Sequence, residues 1–331
     1  MNTGKISKII NLTSILAALV LSACGQQALH SSHSVSELSE DQNAIVGGRK
    51  VRESSPIESS VVAILIYTIE GSAPQLESKA NSPSQQGQIL KVAICTGSLI
   101  TESIVLTAAH CVPENSGQYI FFSDRIPTFD IRELHRSGLG RKVFKQIVYS
   151  GYQPANGPKG LKNTGDVALL KFEGPLPAGY KPATFLPDGK VLKSGQTVVL
   201  AGFGTTYDGT VAADEQQGKE TTSAGAPEQS NGATPSQESR RKKLDDRKIL
   251  RSVKVKIASE SFSATEIALD QTNGKGACHG DSGGPAFLQQ GKNLYLWGIT
   301  SRGVQGCDKF SIYTNALVYK DWMEQGIQQL Q

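Results

Sequence analysis

Short runs of apolar residues recur along the chain from Ile45 onward, and each has the length of a β-strand. The runs are SVVAILIY at 60–67, GSLITESIVLTAA at 97–109, DVALLKF at 166–172, QTVVLAGFG at 196–204, LRSVKVKIA at 250–258 and LYLWGITS at 294–301. Gly, Pro, Asn and Asp residues separate them. Many short strands with little helical periodicity predict an all-β protein, either a barrel or a sandwich.

The end of the chain has a different pattern. The segment ALVYKDWMEQGIQQL at 316–330 is the best candidate for a helix. On such a helix, one apolar stripe would be formed by Leu317, Val318, Trp322 and Ile327. The sequence therefore predicts a β-domain that ends in an amphipathic helix.

Two polar stretches interrupt the strand-like pattern. Residues 70–90 are rich in Ser, Gln, Pro and Ala, and residues 206–247 form a longer stretch that is low in apolar residues. A compact domain rarely contains such long loops unless they are functional or disordered. We interpret both as solvated inserts, while the basic run at 240–243 in the longer one is a potential cleavage site.

Composition limits the possible partners. Hydrophobic residues make up 38% of the 331 residues and charged residues 19%, which is enough for a packed core. The net charge of +4 is small for this length, and aromatic residues do not interleave with basic ones, so we expect no nucleic-acid partner. No His, Cys and Asp cluster has metal-ligand spacing, and we expect neither a metal nor a cofactor.

The N-terminus has the features of an export signal. Lys5 and Lys8 precede a short apolar stretch centred on residues 15–21, as in a secretory signal peptide. The next residues, LSAC at 21–24, resemble a bacterial lipobox, which implies a signal peptide at 1–23 and a lipid anchor on Cys24. An ordinary signal peptide with small residues at its cleavage site is the alternative.

This N-terminus predicts the location of the protein. Residues 24–44 are polar and Ser-rich, and we interpret them as a tether or pro-segment. Gly25 follows the lipobox cysteine, which implies sorting to the outer membrane. We expect an exported protein, either an outer-membrane lipoprotein attached through Cys24 or a periplasmic or extracellular protein after release.

The cysteine count agrees with export. The chain has five cysteines, and four remain if Cys24 carries a lipid: Cys95, Cys111, Cys278 and Cys307. Four cysteines suit two disulfides outside the cytosol, but three pairings are possible and the spacing does not choose among them.

One stretch concentrates glycine around a serine. The sequence GKGACHGDSGGPAF at 274–287 contains five glycines near Ser282. A nucleophilic serine needs a base and a set of N–H groups that stabilise the oxyanion, and glycine allows the backbone to turn those groups toward one point. A tight turn between strands is the alternative interpretation.

Candidates for the other catalytic groups lie elsewhere in the chain. His110 ends the apolar run LTAAHC, whereas the remaining histidines lie in the pro-segment, in a charged stretch or too close to Ser282. A catalytic histidine also needs a carboxylate that holds its tautomer, and Asp166 precedes the apolar run VALLKF. Taken separately, His110 could be a core histidine and Asp166 a turn residue.

Four motifs together resemble the chymotrypsin family of serine proteases. They are IVGG at 45–48, LTAAHC at 106–111, GDVALLKF at 165–172 and GDSGGP at 280–285, in the chain order of that family. The resemblance covers residues 45–331 apart from the two inserts. It implies His110 as general base, Asp166 as its orienting carboxylate and Ser282 as nucleophile, with Gly280 and Ser282 supplying the oxyanion-hole N–H groups.

The resemblance also implies roles for other residues. Its disulfides would be Cys95–Cys111 and Cys278–Cys307, and the backbone of Ser301 and Gly303 would pair with the substrate as an added strand. Arg302 stands where the family commonly has an aromatic residue.

The resemblance further predicts a zymogen. Cleavage before Ile45 would free an amino group that pairs with the buried Asp281 and orders the oxyanion hole. Because Ala44 precedes the cut, we expect an activator that cleaves after small residues, and the protein itself is one candidate. Such a cut would also separate the protease from Cys24.

The specificity pocket is expected to be uncharged. The resemblance assigns its floor to Gly276 and its walls to Gly303 and Ser311, so small or medium apolar substrate side chains are favoured. Asp308 is a possible inward-pointing acid. Cleavage after Lys or Arg would need a carboxylate at that depth.

The resemblance implies an all-β fold of two six-stranded antiparallel β-barrels, at about 45–178 and 179–331, with a C-terminal α-helix. We predict a monomeric serine endopeptidase that acts on polypeptides through an acyl-enzyme. The alternatives are a catalytically silent, protease-like binding module and a hydrolase of small esters. The first is disfavoured because all three triad residues are present.

Overall fold

The computed structural model describes residues 45–69, 90–126, 131–154, 162–204, 249–304 and 306–331. The predicted lipid anchor at Cys24, the tether at 24–44 and most of both polar inserts lie outside the described residues. Among the described residues, no helix is long and apolar enough to cross a membrane.

The described residues form fourteen strands and two α-helices. The strands are β1 (Arg49–Lys50), β2 (Val61–Ile69), β3 (Leu90–Leu99), β4 (Ile104–Thr107), β5 (Ser116–Phe121), β6 (Gly140–Val148), β7 (Ala168–Phe172), β8 (Thr184–Phe185), β9 (Thr197–Gly202), β10 (Arg251–Ser259), β11 (Glu266–Asp270), β12 (Pro285–Gln290), β13 (Asn293–Gly303) and β14 (Phe310–Asn315). The α-helices are α1 (Ile131–Arg136) and α2 (Lys320–Leu330). Short 3₁₀ turns lie at Ala109–Cys111, Gly189–Val191 and Ala316–Tyr319.

The first barrel closes in the strand order β2-β3-β4-β7-β6-β5, and each of its pairings is antiparallel. Residues 61–67 of β2 are all buried. This explains why the strand is a continuous apolar run rather than an alternating one. The 3₁₀ turn that contains His110 follows β4 directly, so the barrel edge fixes the position of this residue.

The second barrel closes through β9, β10, β11, β14, β13 and β12, while β1 pairs with β10 and β8 pairs with β13. Ile45 is completely buried in the core of this barrel, although it precedes the first barrel in sequence. Together the two barrels and the C-terminal helix confirm the expected chymotrypsin-like fold.

The C-terminal helix crosses back to the first barrel. Gly326 of α2 lies against Leu169 and Ile147, and the buried positions of the helix are Met323, Gly326 and Leu330. The predicted apolar stripe was wrong at Val318, which is 51% exposed. Val318 lies in a 3₁₀ turn, whose three-residue repeat differs from the α-helical period.

Candidate active site

His110 and Asp166 lie together at the edge of the first barrel. His110 Nδ1 is 2.8 Å from Asp166 Oδ2, and the N–H of His110 donates to Asp166 Oδ1 at 3.0 Å. This geometry suits the tautomer in which Nδ1 donates to the Asp166 oxygen and Nε2 is available as a base. Asp166 is 3% exposed, whereas the His110 side chain is 32% exposed.

The second barrel supplies two further contacts to Asp166. Ser301 Oγ donates to Asp166 Oδ2 at 2.7 Å, and Thr314 Oγ1 donates to the Asp166 carbonyl at 3.1 Å. The aspartate therefore lies at the junction of the two barrels and is held from both sides.

The loop that carries Ser282 packs against the strands leading to His110. The N–H of Thr96 in β3 donates to the Ser282 carbonyl at 2.8 Å. A methyl group on Gly283 would lie 2.0 Å from Thr107 Oγ1 and 2.9 Å from the Ala108 nitrogen, so only glycine permits this approach. Among the described residues, no hydrogen bond joins Ser282 Oγ to His110 Nε2, a common situation before substrate binds.

Some backbone N–H groups of the same loop donate within the protein and others do not. The N–H groups of Asp281, Gly283 and Gly284 donate to the carbonyls of Cys278, Thr300 and Asp281, respectively. In the described part of the chain, the N–H groups of Gly280 and Ser282 donate to no protein acceptor. Thr96 Oγ1 fixes this loop further, since it donates to the Gly280 carbonyl at 3.0 Å.

Asp281 is a completely buried carboxyl group beneath this loop. Its Oδ1 accepts from the Gly204 N–H at 2.8 Å, and its Oδ2 accepts from the Cys278 N–H at 2.9 Å. Burial raises the pKa of Asp281 from 3.8 to about 7, although the two N–H groups act in the opposite direction. Among the described residues, no charged side chain forms an ion pair with it.

The predicted pocket residues differ in burial: Gly276 and Ser311 are buried, whereas Gly303 is exposed. Gly276 is buried, and its N–H donates to the Val46 carbonyl at 3.1 Å. Gly303 and Ser311 are opposite each other in β13 and β14, and Ser311 Oγ is buried with no partner in the described structure. Asp308, considered as an inward-pointing acid, is exposed.

Gln271 was not identified from the sequence, yet its side chain occupies the space beside Gly276. A methyl group on Gly276 would lie 2.2 Å from Gln271 Cδ, so the glutamine fills the volume that a side chain at position 276 would need. Gln271 Nε2 donates to the carbonyls of Ala277 and Cys307, and Oε1 accepts from the Ala277 N–H. Both amide hydrogens are therefore satisfied within the protein.

The strand segment 301–303 has one open edge. Arg302 and Gly303 pair with Ile312 and Ser311 of β14, while the pairing of β13 with β12 ends at Ile299. Beside it, a cleft of about 790 Å³ is lined by residues that include His110, Asp166, Ser301, Thr164 and Tyr152. A peptide could add to this edge as a strand and lie along the cleft.

The structure contains both disulfides that the resemblance implied, Cys95–Cys111 and Cys278–Cys307. The first joins β3 to the turn that bears His110, and the second joins the Ser282 loop to the chain after β13. His110 and His279 each lie near a cysteine pair, but these four cysteines are oxidised and offer no thiolate ligand to a metal.

Comparisons with known proteins agree with this geometry. The family model described as Trypsin matches residues 75–323. The CLIP domain-containing serine protease B4 of Anopheles gambiae is 27% identical over 252 residues, which are 70% of this chain and 62% of the relative. Coagulation factor IX of Oryctolagus cuniculus is 27% identical over 232 residues, covering 70% of this chain and 74% of the relative. Vitamin K-dependent protein C of the same species is 25% identical over 248 residues, covering 72% of this chain and 48% of the relative.

Proposed function

The chain belongs to the trypsin family of serine proteases, and on this premise we propose that it is an active, exported serine endopeptidase. The observation that carries the proposal is the His110–Asp166 pair at 2.8 Å, beside the Ser282 loop, in which the N–H groups of Gly280 and Ser282 have no protein acceptor among the described residues. The chain spans 62% of the length of the Anopheles relative, so neither the substrates nor the partners of that protein are transferred here.

In this proposal, Ser282 attacks the carbonyl carbon of the substrate and His110 Nε2 accepts the hydroxyl proton. Asp166 holds the imidazole through Nδ1 and stabilises the imidazolium that forms. His110 then donates the proton to the leaving amine, which departs and leaves an acyl-enzyme on Ser282. Water activated by the same histidine hydrolyses that ester.

The N–H groups of Gly280 and Ser282 are the proposed oxyanion hole. The N–H groups of Asp281, Gly283 and Gly284 donate within the protein, whereas those of Gly280 and Ser282 have no protein acceptor among the described residues and would stabilise the negative charge on the tetrahedral intermediate. Loss of one such donor typically costs about 2.7–4 kcal/mol of transition-state stabilisation.

Substrate binding is proposed at the open edge of β13 and in the adjoining pocket. The backbone of Ser301 and Gly303 would pair with the peptide, and the side chain before the scissile bond would enter between Gly276 and Ser311. The Gly276 floor bears no charge and Gln271 fills the space next to it. This arrangement favours small or medium neutral side chains.

Activation is proposed to follow cleavage before Ile45. The Ile45 side chain is already buried in the second barrel, and Asp281 is a buried carboxyl group without a cationic side-chain partner among the described residues. A new amino group on Ile45 would supply the missing positive charge. Anchoring through Cys24 and release by this cut stay predictions from the sequence.

The test uses the chain that begins at Ile45, incubated with an unbiased peptide mixture whose cleavage sites are read by mass spectrometry. Labelling by a fluorophosphonate reports the nucleophile separately, and the Ser282→Ala variant is the control for both. We expect Ser282-dependent labelling and cuts after small or medium neutral residues. A folded chain with neither labelling nor cleavage would contradict the proposal and favour a binding module.

A further inference from the structure

Glu266 is a buried carboxylate at the first position of β11, 100 residues after Asp166 in sequence. Its side chain has no exposed area, yet both oxygens are occupied. Oε1 accepts from the Thr164 N–H at 3.2 Å and Thr164 Oγ1 at 2.9 Å, while Oε2 accepts from the Asn163 N–H at 2.9 Å and Ser263 Oγ at 2.9 Å. Such complete satisfaction is expected of a carboxylate that stays ionised while buried.

The segment that Glu266 holds leads directly into Asp166. Asn163 and Thr164 belong to the connection between β6 and β7 of the first barrel, whereas Glu266 belongs to the second barrel. The contact is reciprocal, because Asn163 Oδ1 accepts from the N–H and hydroxyl of Thr265 at 3.1 Å each. These bonds therefore cross between the barrels within three residues of Asp166.

The cationic partner of Glu266 is Arg302. Its Nη1 lies 2.7 Å from Oε1 and its Nη2 lies 3.1 Å from Oε2, which is a bidentate ion pair. Arg302 directly follows Ser301, whose hydroxyl donates to Asp166. One carboxylate thus contacts the segment that leads into Asp166 and the residue next to Ser301, which is one of the donors to Asp166.

The charges of this pair depend on each other. Burial alone would raise the pKa of Glu266. The hydrogen bonds that it accepts from Arg302 and from the N–H groups of Asn163 and Thr164, together with the positive charge of Arg302, lower its pKa to about 2. Removing either partner leaves a charge in a largely buried site, which costs more than loss of a surface pair. The positions of Glu266 and Arg302 are therefore coupled, because each side chain neutralises the charge of the other.

We propose that Glu266 is a positioning residue for Asp166: it clamps segment 163–164 of one barrel to Arg302 of the other. The inference rests on the proposed serine-protease function, within which the clamp keeps the Asp166 carboxylate aligned with His110.

Kinetics of the chain that begins at Ile45 give the first test. Glu266→Gln removes the charge but keeps the side-chain length, and we expect kcat to fall by about tenfold to a hundredfold. KM is measured as well, because Arg302 lies between the two residues that are proposed to pair with the substrate. A raised KM with an unchanged kcat would assign the ion pair to substrate binding and overturn the proposal. The matched control is Glu260→Gln, which removes a carboxylate that accepts from Ser194 on the same barrel and should leave kcat unchanged. A folded Glu266→Gln variant with wild-type kcat would overturn the proposal.

The dependence on Arg302 is tested by a double-mutant cycle with Arg302→Gln. We expect the double variant to lose little more activity than either single variant, because both act through one ion pair. Losses that multiply would overturn the coupling. If Glu266→Gln does not fold, Thr164→Val removes one donor to Glu266 without changing charge, and a folded variant with wild-type kcat would count equally against the proposal.

A readout without turnover separates this inference from the proposed function. In the Ser282→Ala background, the proton between His110 Nδ1 and Asp166 should give a downfield NMR resonance. We expect Glu266→Gln to shift or broaden that resonance and Glu260→Gln to leave it unchanged. An unchanged resonance in Glu266→Gln would overturn the inference. If the wild-type chain is inactive but Glu266→Gln still shifts the resonance, the result would refute only the protease function.

Discussion

Cleavage before Ile45 is predicted to change how stability depends on pH through Asp281. In the uncut chain this carboxyl group is completely buried, receives two backbone N–H groups, and has a pKa raised to about 7 by burial. The cut supplies an amino group on Ile45, a residue that is already buried in the same barrel. The proposed ion pair would lower the pKa of Asp281 again.

The magnitude follows from the shift. A rise from 3.8 to about 7 is roughly three units, which corresponds to about 4 kcal/mol. Because the folded chain holds this proton more tightly than the unfolded chain, the contribution is present below about pH 4 and is lost as the pH rises to about 7. The uncut chain should therefore lose stability across that window.

The backbone conformation at Ile45 should also make the cut form more stable. Its φ angle is +52°, which is unfavourable for a β-branched residue and costs on the order of 1–3 kcal/mol. Cleavage removes the preceding carbonyl group that makes this angle costly. The seated Ile45 is therefore expected to be more stable after the cut for two independent reasons.

The assay is urea denaturation of the Ser282→Ala chain, uncut and beginning at Ile45, between pH 4 and pH 7.5. The uncut chain is compared with its Asp281→Asn variant, so that other titrating groups such as Glu266 cancel. The Ile45 form is compared directly with the uncut chain, because Asp281→Asn would leave its buried amino group unpaired. We expect the uncut chain to lose about 4 kcal/mol relative to its variant across this range, and the Ile45 form to lose much less stability over the same range. An Ile45 form that loses as much stability as the uncut chain would contradict the role assigned to the new amino group.

Two further predictions concern single positions. Gly283→Ala should destabilise the fold by more than about 1 kcal/mol in urea denaturation and reduce fluorophosphonate labelling, because its methyl group would meet Thr107 and Ala108. The control is Gly274→Ala, where φ is similar but the space around the methyl group is open. Equal effects of the two substitutions would show that the positive φ angle, and not the close contact, causes the loss. Gln271→Ala should open space beside Gly276, the proposed floor of the pocket, and extend cleavage to larger neutral side chains; an unchanged cleavage profile in a folded variant would place Gln271 outside the pocket.

Much of the fold and part of the site were predictable from local sequence. Alternating turn residues and apolar runs predicted the strands, and the stretches around residues 110, 166 and 282 matched family motifs in order. Short motifs are informative because a tight loop such as that of Ser282 admits few residues at each position. Gly283, for example, approaches the first barrel too closely for any side chain.

The helix and the pocket were less predictable for physical reasons. Val318 was assigned to an apolar face because an α-helical period was extended through a 3₁₀ turn. Gln271 was overlooked because a polar residue in a turn-rich stretch is normally solvated. Only the packing of the segments around Gly276 and Cys307 buries it and satisfies its amide.

Local sequence was enough to predict the class of fold and the chemically distinctive residues, because strand length, turn composition and tight-loop glycines are local properties. The distant groups that support these residues became apparent only from the folded structure. Glu266 meets Thr164 over 102 residues and Ser301 meets Asp166 over 135, in each case across the junction of the barrels. Such hydrogen bonds leave no periodic signal in the chain, since they depend on the strand registers of two barrels that close independently and then meet at one cleft.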